Sequence, residues 1–370
     1  MPGMGGGAGG GLTVSGQTTS STCSISSGIC ALDGTSNQVT RSLTYSATTG
    51  KFTGTVLSNL CSNNKFGRDE NGTQFSTGVG HTASCVQQTF PAPAYTGTGP
   101  FAAPLRGPVA YSLYGVYIYG PFEAGFALGQ ACTNGKGSCD AGLDVNVCGK
   151  KLEYDCGSAS LSRGMLMDSC GGHAGPYHYH TELKCDDVVN VKISTYGSRV
   201  TPGHSPLVGI ALDGRGVYGK YESTGVVPTN LDVCGGHVGS VPTVSATGIT
   251  GHTDEAVYHY HSQDKSPFMV GCFGPVATVD ACKSLYASTC GTGTSTFTTA
   301  EGNVTYDTDC PCGDATAALS AATPPATSSA AGSAASPSSN IQTLQRSASA
   351  TSLTAAALGA TAVVGMSWHL

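Results

Sequence analysis

Charge is scarce in this chain. Only 11% of its 370 residues are Asp, Glu, Lys or Arg, and the net charge is −6. That balance speaks against nucleic acid as a partner, because phosphate binding draws on a basic surface. Amphipathic runs of period 3.6 are nearly absent before the C-terminus, so few solvated helical faces are expected. There is no Walker loop, no Rossmann fingerprint and no Ser nucleophile elbow, hence no nucleotide or flavin signal. No Cys-x-x-Cys pair occurs either, and Cys310-Pro311-Cys312 does not replace one. A structural zinc finger is thereby disfavoured.

What is present is glycine, 53 residues of it, with abundant Ser and Thr. This composition predicts short strands joined by Gly-rich loops. The fold class expected is mostly β and disulfide-rich, with a pseudo-twofold internal repeat and disordered termini. Sixteen cysteines lie between Cys23 and Cys312. An even count in so Cys-rich a chain reads as disulfides formed in an oxidising compartment. Two N-glycosylation sequons, at Asn71 and Asn303, agree with a secreted route.

The motif that carries chemistry is a duplicated one. Tyr177-His178-Tyr179-His180 recurs as Tyr258-His259-Tyr260-His261. Each copy follows an Asp-x-Cys-Gly-Gly-His segment, Asp168 to His173 and Asp232 to His237. Six of the ten histidines thus form two matching triplets. Written as a strand, the tetrapeptide sends both imidazoles to one face and both tyrosines to the other. Imidazoles spaced by about 6.5 Å along a strand can converge on one ion with bonds of about 2.0–2.1 Å. His178, His180, His259 and His261 are the candidate ligands, with His173 and His237 as additional ones. If the two strands meet, four to six imidazoles share a single site. An all-imidazole site suits Cu(II) or Zn(II). Tyr177, Tyr179, Tyr258 and Tyr260 would pack behind the ligands. Asp168 and Asp232 would either orient the ring N–H groups or cap the turns before Cys-Gly-Gly. Solvated or backbone-bonded histidines holding no ion are the bland alternative.

The chain divides as follows. Residues 1–22 are Gly/Ser/Thr-rich and expected to be disordered. Residues 23–90 carry Cys23, Cys30, Cys61 and Cys85, with strand-like runs at Val39 to Tyr45 and Lys51 to Leu57. After the Pro-rich stretch Pro91 to Pro108 an internal repeat begins, with halves at about 111–185 and 207–275. Tyr114 to Gly120 opens the first half and Gly209 to Gly219 the second. The first half carries an insertion with Cys132, Cys139, Cys148 and Cys156. The second inserts between His237 and Tyr258, in a segment containing His252 and Asp254. Cys170, Cys185, Cys234 and Cys272 are further disulfide candidates. Residues 276–320 form a Cys-containing extension.

Several of these pieces, in this order, resemble the YHYH domain, a family found in secreted or exported proteins and named for the tetrapeptide. The matching segments are Gly115 to Gly120, Leu212-Asp213-Gly214 with Val217-Tyr218-Gly219, Leu231 to His237, Tyr258 to His261, and Pro267 to Cys272. The resemblance spans residues 92–275. It implies a domain boundary rather than an activity, since the family has no established chemistry.

Residues 321–352 are Ser/Ala/Thr/Pro-rich and read as a stalk. Residues 353–370 form an apolar tail of the GPI-signal type. A cell-surface location through a C-terminal lipid anchor is therefore expected. Residues 1–7 lack the charge and apolar core of a signal peptide, so a start further upstream is expected. Three functional classes stay open: a surface metal-binding protein, a metal-dependent hydrolase or oxidase, and an adhesive module for glycan or matrix. For hydrolysis, Asp213, Asp254 and Glu255 are the candidate bases. His81, His204 and His369 receive no role, with His204 placed at the surface ahead of a strand.

Overall fold

In a computed structural model, the structure describes residues 14–24, 28–64, 82–121, 153–155, 160–162, 170–173, 176–180, 203–244, 246–252, 254–263, 267–292, 294–299, 302–307 and 310–312. The expected cysteines Cys132, Cys139, Cys148, Cys156 and Cys185 lie outside them. So do Asp168, Asn71, His81 and His369, and the stalk and tail at 321–370.

The chain is mostly β, as the composition implied. Strands β1 (Gln17–Thr19), β2 (Val39–Ser46), β3 (Lys51–Ser58) and β4 (Val86–Phe90) come first, then β5 (Pro108–Ser112), β6 (Tyr117–Tyr119), β7 (Glu153–Asp155) and β8 (Ser160–Ser162). Then come β9 (Gly172–His173), β10 (His178–Tyr179), β11 (Leu207–Ala211), β12 (Gly216–Tyr218), β13 (Gly236–Val241), β14 (Ile249–Thr250) and β15 (Glu255–His261). Helix α1 (Val279–Leu285) and strands β16 (Thr294–Thr299) and β17 (Gly302–Asp307) follow. Asn303 falls in β17.

Two sheets dominate. The smaller has the order β1-β4-β3-β2-β14 and the larger β13-β15-β12-β11-β5-β6-β10-β9. In β4 buried and exposed residues alternate, the mark of a strand with one face on a core. Strands β5 and β11 are buried at every position, as strands covered on both faces must be. One continuous core joins Leu43, Phe52 and Val56 of the small sheet to Val109, Ile118, Ile210 and Val217 of the large one. The small sheet also takes β14, from the insertion between His237 and Tyr258, which pairs with β2 in parallel.

The large sheet is a pseudo-twofold object. At its centre β5 pairs with β11 antiparallel. Outward from β5, hairpin partner β6 pairs in parallel with β10, which pairs antiparallel with β9. Outward from β11, β12 pairs in parallel with β15, which pairs antiparallel with β13. The two tetrapeptides thus occupy opposite ends, with β12, β11, β5 and β6 between them. Five strand spacings of about 4.8 Å put them roughly 24 Å apart along the sheet. This corrects the expectation of one shared site. The two halves join through their first hairpins, not through their histidine strands.

Five disulfides close the described part: Cys23–Cys85, Cys30–Cys61, Cys234–Cys272, Cys282–Cys312 and Cys290–Cys310. Cys170 is disulfide-bonded as well. Among the described residues no helix is long and apolar enough to cross a membrane.

Candidate metal centre

The Cys-Gly-Gly-His turn aims the site. Gly235 has φ +87°, a left-handed conformation that disfavours a side chain. Gly236 lies against the Tyr258 ring, where a Cβ would come within 2.6 Å of it. The first glycine reverses the chain and the second lets it pass under the tyrosine. Strand β13 then runs beside β15, with His237 in register with His259. The first copy repeats this, with Gly171 at φ +89° and a Cβ on Gly172 meeting the Tyr177 ring at 2.8 Å. His173 is likewise in register with His178.

On β15 the alternation holds. His259 and His261 share one face, and their Nε2 atoms are 2.9 Å apart. His204 enters from the segment before β11, its Nε2 3.3 Å from that of His259. Glu222 follows β12, and its Oε2 lies 3.1 Å from His237 Nε2, 3.2 Å from His261 Nε2 and 3.3 Å from His204 Nε2. His204, Glu222, His259 and His261 place one ligand atom each within 4.8 Å of one another, and His237 joins through Glu222. The histidine given no role from sequence therefore belongs to the cluster. The carboxylate that completes it was also missed.

Every imidazole of this cluster is held by its other nitrogen. His259 Nδ1 lies 3.0 Å from the Val257 carbonyl, and His261 Nδ1 lies 2.6 Å from that of Gly219. His204 Nδ1 lies 2.6 Å from the Ser205 carbonyl, and His237 Nδ1 lies 2.9 Å from Asn230 Oδ1. An oxygen of this kind can only accept, so the ring proton sits on Nδ1 and donates. Each Nε2 then carries a lone pair. In that tautomer the Nε2 atoms of His204, His259 and His261 turn their lone pairs toward the Glu222 carboxylate. Burial pushes the His259 imidazole down to about 3 and that of His261 down to about 2, with neighbouring imidazoles adding to the effect. Burial also lowers His204. Burial thus disfavours charge on His204, His259 and His261, and the grouping with Glu222 has the makings of a cation site.

The remaining candidates find other work. Asp232 does not orient a histidine. Its Oδ1 accepts from the Cys234 and Gly236 amides, and its Oδ2 accepts from Tyr258 Oη at 2.8 Å and from the Val276 amide. A turn demanding those amides leaves no acceptor for an imidazole. Tyr260 Oη donates to Asp213 Oδ2 at 3.0 Å, and buried Asp213 also pairs with Arg215. Asp213 sits in the turn between β11 and β12, where its Oδ1 also accepts from the Arg215 amide. Tyr258 and Tyr260 anchor the strand from the face opposite the imidazoles rather than supporting them directly. In the first copy Tyr179 Oη accepts from Asn64 Nδ2 at 3.1 Å, and Tyr177 packs edge-on against Tyr179 at 5.3 Å. Asp254 is exposed and lies outside the cluster; Glu255 sits at the far end of β15 from His259 and His261. Cys290, Cys310 and Cys312 also lie close together, but all three are in disulfides, so no thiolate remains to bind an ion.

Glu222 had a sequence signal. Tyr218-Gly219-x-x-Glu222 repeats Tyr119-Gly120-x-x-Glu123, an extension of the repeat beyond its strands. Glu123 lies outside the described residues. His204 had no such signal, because Leu105 stands at the matching position.

Residues 87–229 match the family model described as YHYH protein. The match contains the first tetrapeptide, His204 and Glu222, and ends before His237. Neither the curated proteins nor the solved structures contain a match to the chain.

Proposed function

We propose that this YHYH-domain protein is a secreted or cell-surface protein that holds a transition-metal ion between His204, Glu222, His237, His259 and His261. One observation carries the reading: four donor atoms, from His204, Glu222, His259 and His261, lie within 4.8 Å of one another, with His237 beside Glu222, while the second nitrogen of every imidazole is tied to an oxygen. That outer hydrogen bond is the usual companion of a metal-bound histidine, fixing its tautomer and its direction. An apolar or merely structural role would leave the lone pairs opposed and uncompensated, at a cost in desolvation.

Donor type and affinity order favour copper over zinc. With bonds of about 2.1 Å, donors at right angles stand about 3.0 Å apart and tetrahedral donors about 3.4 Å. The separations here run from 2.9 Å and 3.1 Å to 3.3 Å and 3.8 Å and so span both values. Imidazole nitrogens with a carboxylate oxygen suit Cu(II), which also stands highest in affinity order. The Glu222 side chain is 29% exposed, so the site reaches solvent on that side. The disulfides support an oxidising compartment, and the C-terminal tail supports a lipid anchor.

The test is metal content. The full chain from a secretory host, dialysed against equal copper and zinc, should retain copper at this site as measured by mass spectrometry. Glu222→Gln with His259→Gln should release it while near-ultraviolet circular dichroism stays unchanged. Full retention by that variant would refute the assignment.

A further inference from the structure

The donors of the second half are not held alike. The four imidazoles are tied by their Nδ1 atoms and lie deep. Their side chains are 9% exposed at His204, 5% at His237, 1% at His259 and 0% at His261. Glu222 is 29% exposed and lies outside every strand. Its amide donates to the Val226 carbonyl, within a turn whose residues 223–227 are all exposed. Yet its carboxylate faces every ring. Oε2 lies 3.1 Å, 3.2 Å, 3.3 Å and 3.8 Å from the Nε2 atoms of His237, His261, His204 and His259. The other oxygen lies over Gly239 of β13, where a Cβ would come within 2.6 Å of Oε1 and 3.1 Å of the His237 ring. The carboxylate takes that seat because position 239 has no side chain. Glycine inside a strand commonly marks such a close approach. Both halves place a glycine there, two residues after Cys-Gly-Gly-His, as Gly175 and Gly239.

We propose that Glu222 is the exchangeable ligand of this centre, and that a small anion binds the ion in its place. The proposal rests on the metal reading above. In the exchange Glu222 gives up its bond to the ion, and the donor atom of the anion takes one. No proton and no electron moves. The imidazoles stay, since carbonyls and Asn230 hold each ring from behind. An incoming anion leaves the charge of the enclosed site unchanged, which a neutral donor would not. Uncompensated charge is costly away from water. Gly239 acts as a positioning residue: by seating the carboxylate it opposes entry of the anion. A position open to exchange is the mark of a reactive metal site, whereas structural sites are closed.

The full chain, loaded with Cu(II) and its copper counted by mass spectrometry, is titrated with azide. The azide-to-copper charge-transfer band reports binding. The wild type should bind azide, and its infrared difference spectrum should show one carboxylate stretch shifted as the ligand is released. Glu222→Asp, a methylene too short for the seat, should bind azide about tenfold more tightly, because no competing carboxylate has to leave. Gly239→Ala should do the same with every donor present, since its methyl meets the far end of the Glu222 side chain. Copper count and circular dichroism show that each variant keeps ion and fold. Should both variants lose either, the carboxylate shift of the wild type decides alone. Copper bound without any azide binding overturns the exchangeable ligand and leaves the metal site standing. So does azide binding of equal strength in all three proteins with no carboxylate shift, which would mean that the anion adds beside Glu222. A wild type that takes no copper overturns both readings.

Discussion

At the scale of single residues, the decisive feature is which nitrogen of each imidazole is engaged. Carbonyls of Val257, Gly219 and Ser205 hold three rings, and the Asn230 side chain holds the fourth. Backbone carbonyls cannot be mutated away, but Asn230 can. Asn230→Ala should lower copper affinity about 10–100-fold, the usual effect of losing an outer partner of a ligand. Competition with a chelator of known affinity measures it, and an unchanged constant would show that His237 is no ligand. His252 is a different kind of histidine. It packs against Tyr45 and Phe52, accepts from the Val244 amide through Nδ1, and is 2.9 Å from Tyr218 Oη. Burial lowers its imidazole to about 4. The unfolded chain takes up that proton first, near pH 6.5. Its contribution to stability is therefore complete above about pH 6.5 and is lost as the pH falls toward about 4. Urea melts across that range should show the decline, and His252→Gln should make it shallower. The alternation of Tyr and His predicted which residues face together. It could not predict Asp232, because a carboxylate two residues before Cys-Gly-Gly serves turn amides and ring nitrogens equally well until the turn is closed.

At the scale of elements, the unit is the Cys-Gly-Gly turn joined to its tyrosine-histidine strand. Cys234 is pinned to Cys272, and Gly236 passes beneath Tyr258. Gly236→Ala should destabilise the fold by about 1–3 kcal/mol, as overpacking in a filled core does, because the new methyl would meet the ring at 2.6 Å and the His259 carbonyl at 2.8 Å. Denaturant midpoints report this. A variant as stable as the parent would mean that β13 can slide away from β15. The strands β2 and β3 were legible from their apolar and Thr-rich runs, and the two Gly-centred hairpins from their repeat. Strand β14 was not, since two residues, Ile249 and Thr250, pair with β2 only because an insertion carries them there.

At the scale of the whole molecule, the donors of the second half come from well-separated stretches of chain. His204 precedes β11, Glu222 follows β12, His237 lies on β13 and His259 and His261 on β15. An ion held among them ties both outer strands to the middle of the sheet and is bound only by the folded chain. Copper at 100 times its dissociation constant should therefore add about 2.7 kcal/mol of stability. Thermal melts with and without chelator check it. A melting temperature indifferent to both would mean that the ion is absent or held equally by the unfolded chain.

The amino-acid order by itself determined the imidazole pairs, their common face and the turns that precede them, because strand alternation and glycine's conformational range are local properties. It also carried the mostly β class, the disulfides and the duplication. Only the tertiary structure decided that the copies lie at opposite ends of one sheet and that His204 and Glu222 join the second pair. Two repeats can meet through their histidine strands or through their first hairpins with the same alternation in either case. The choice falls to β5 and β11, buried on both faces, which satisfy that burial by pairing at the centre and send the histidine strands outward.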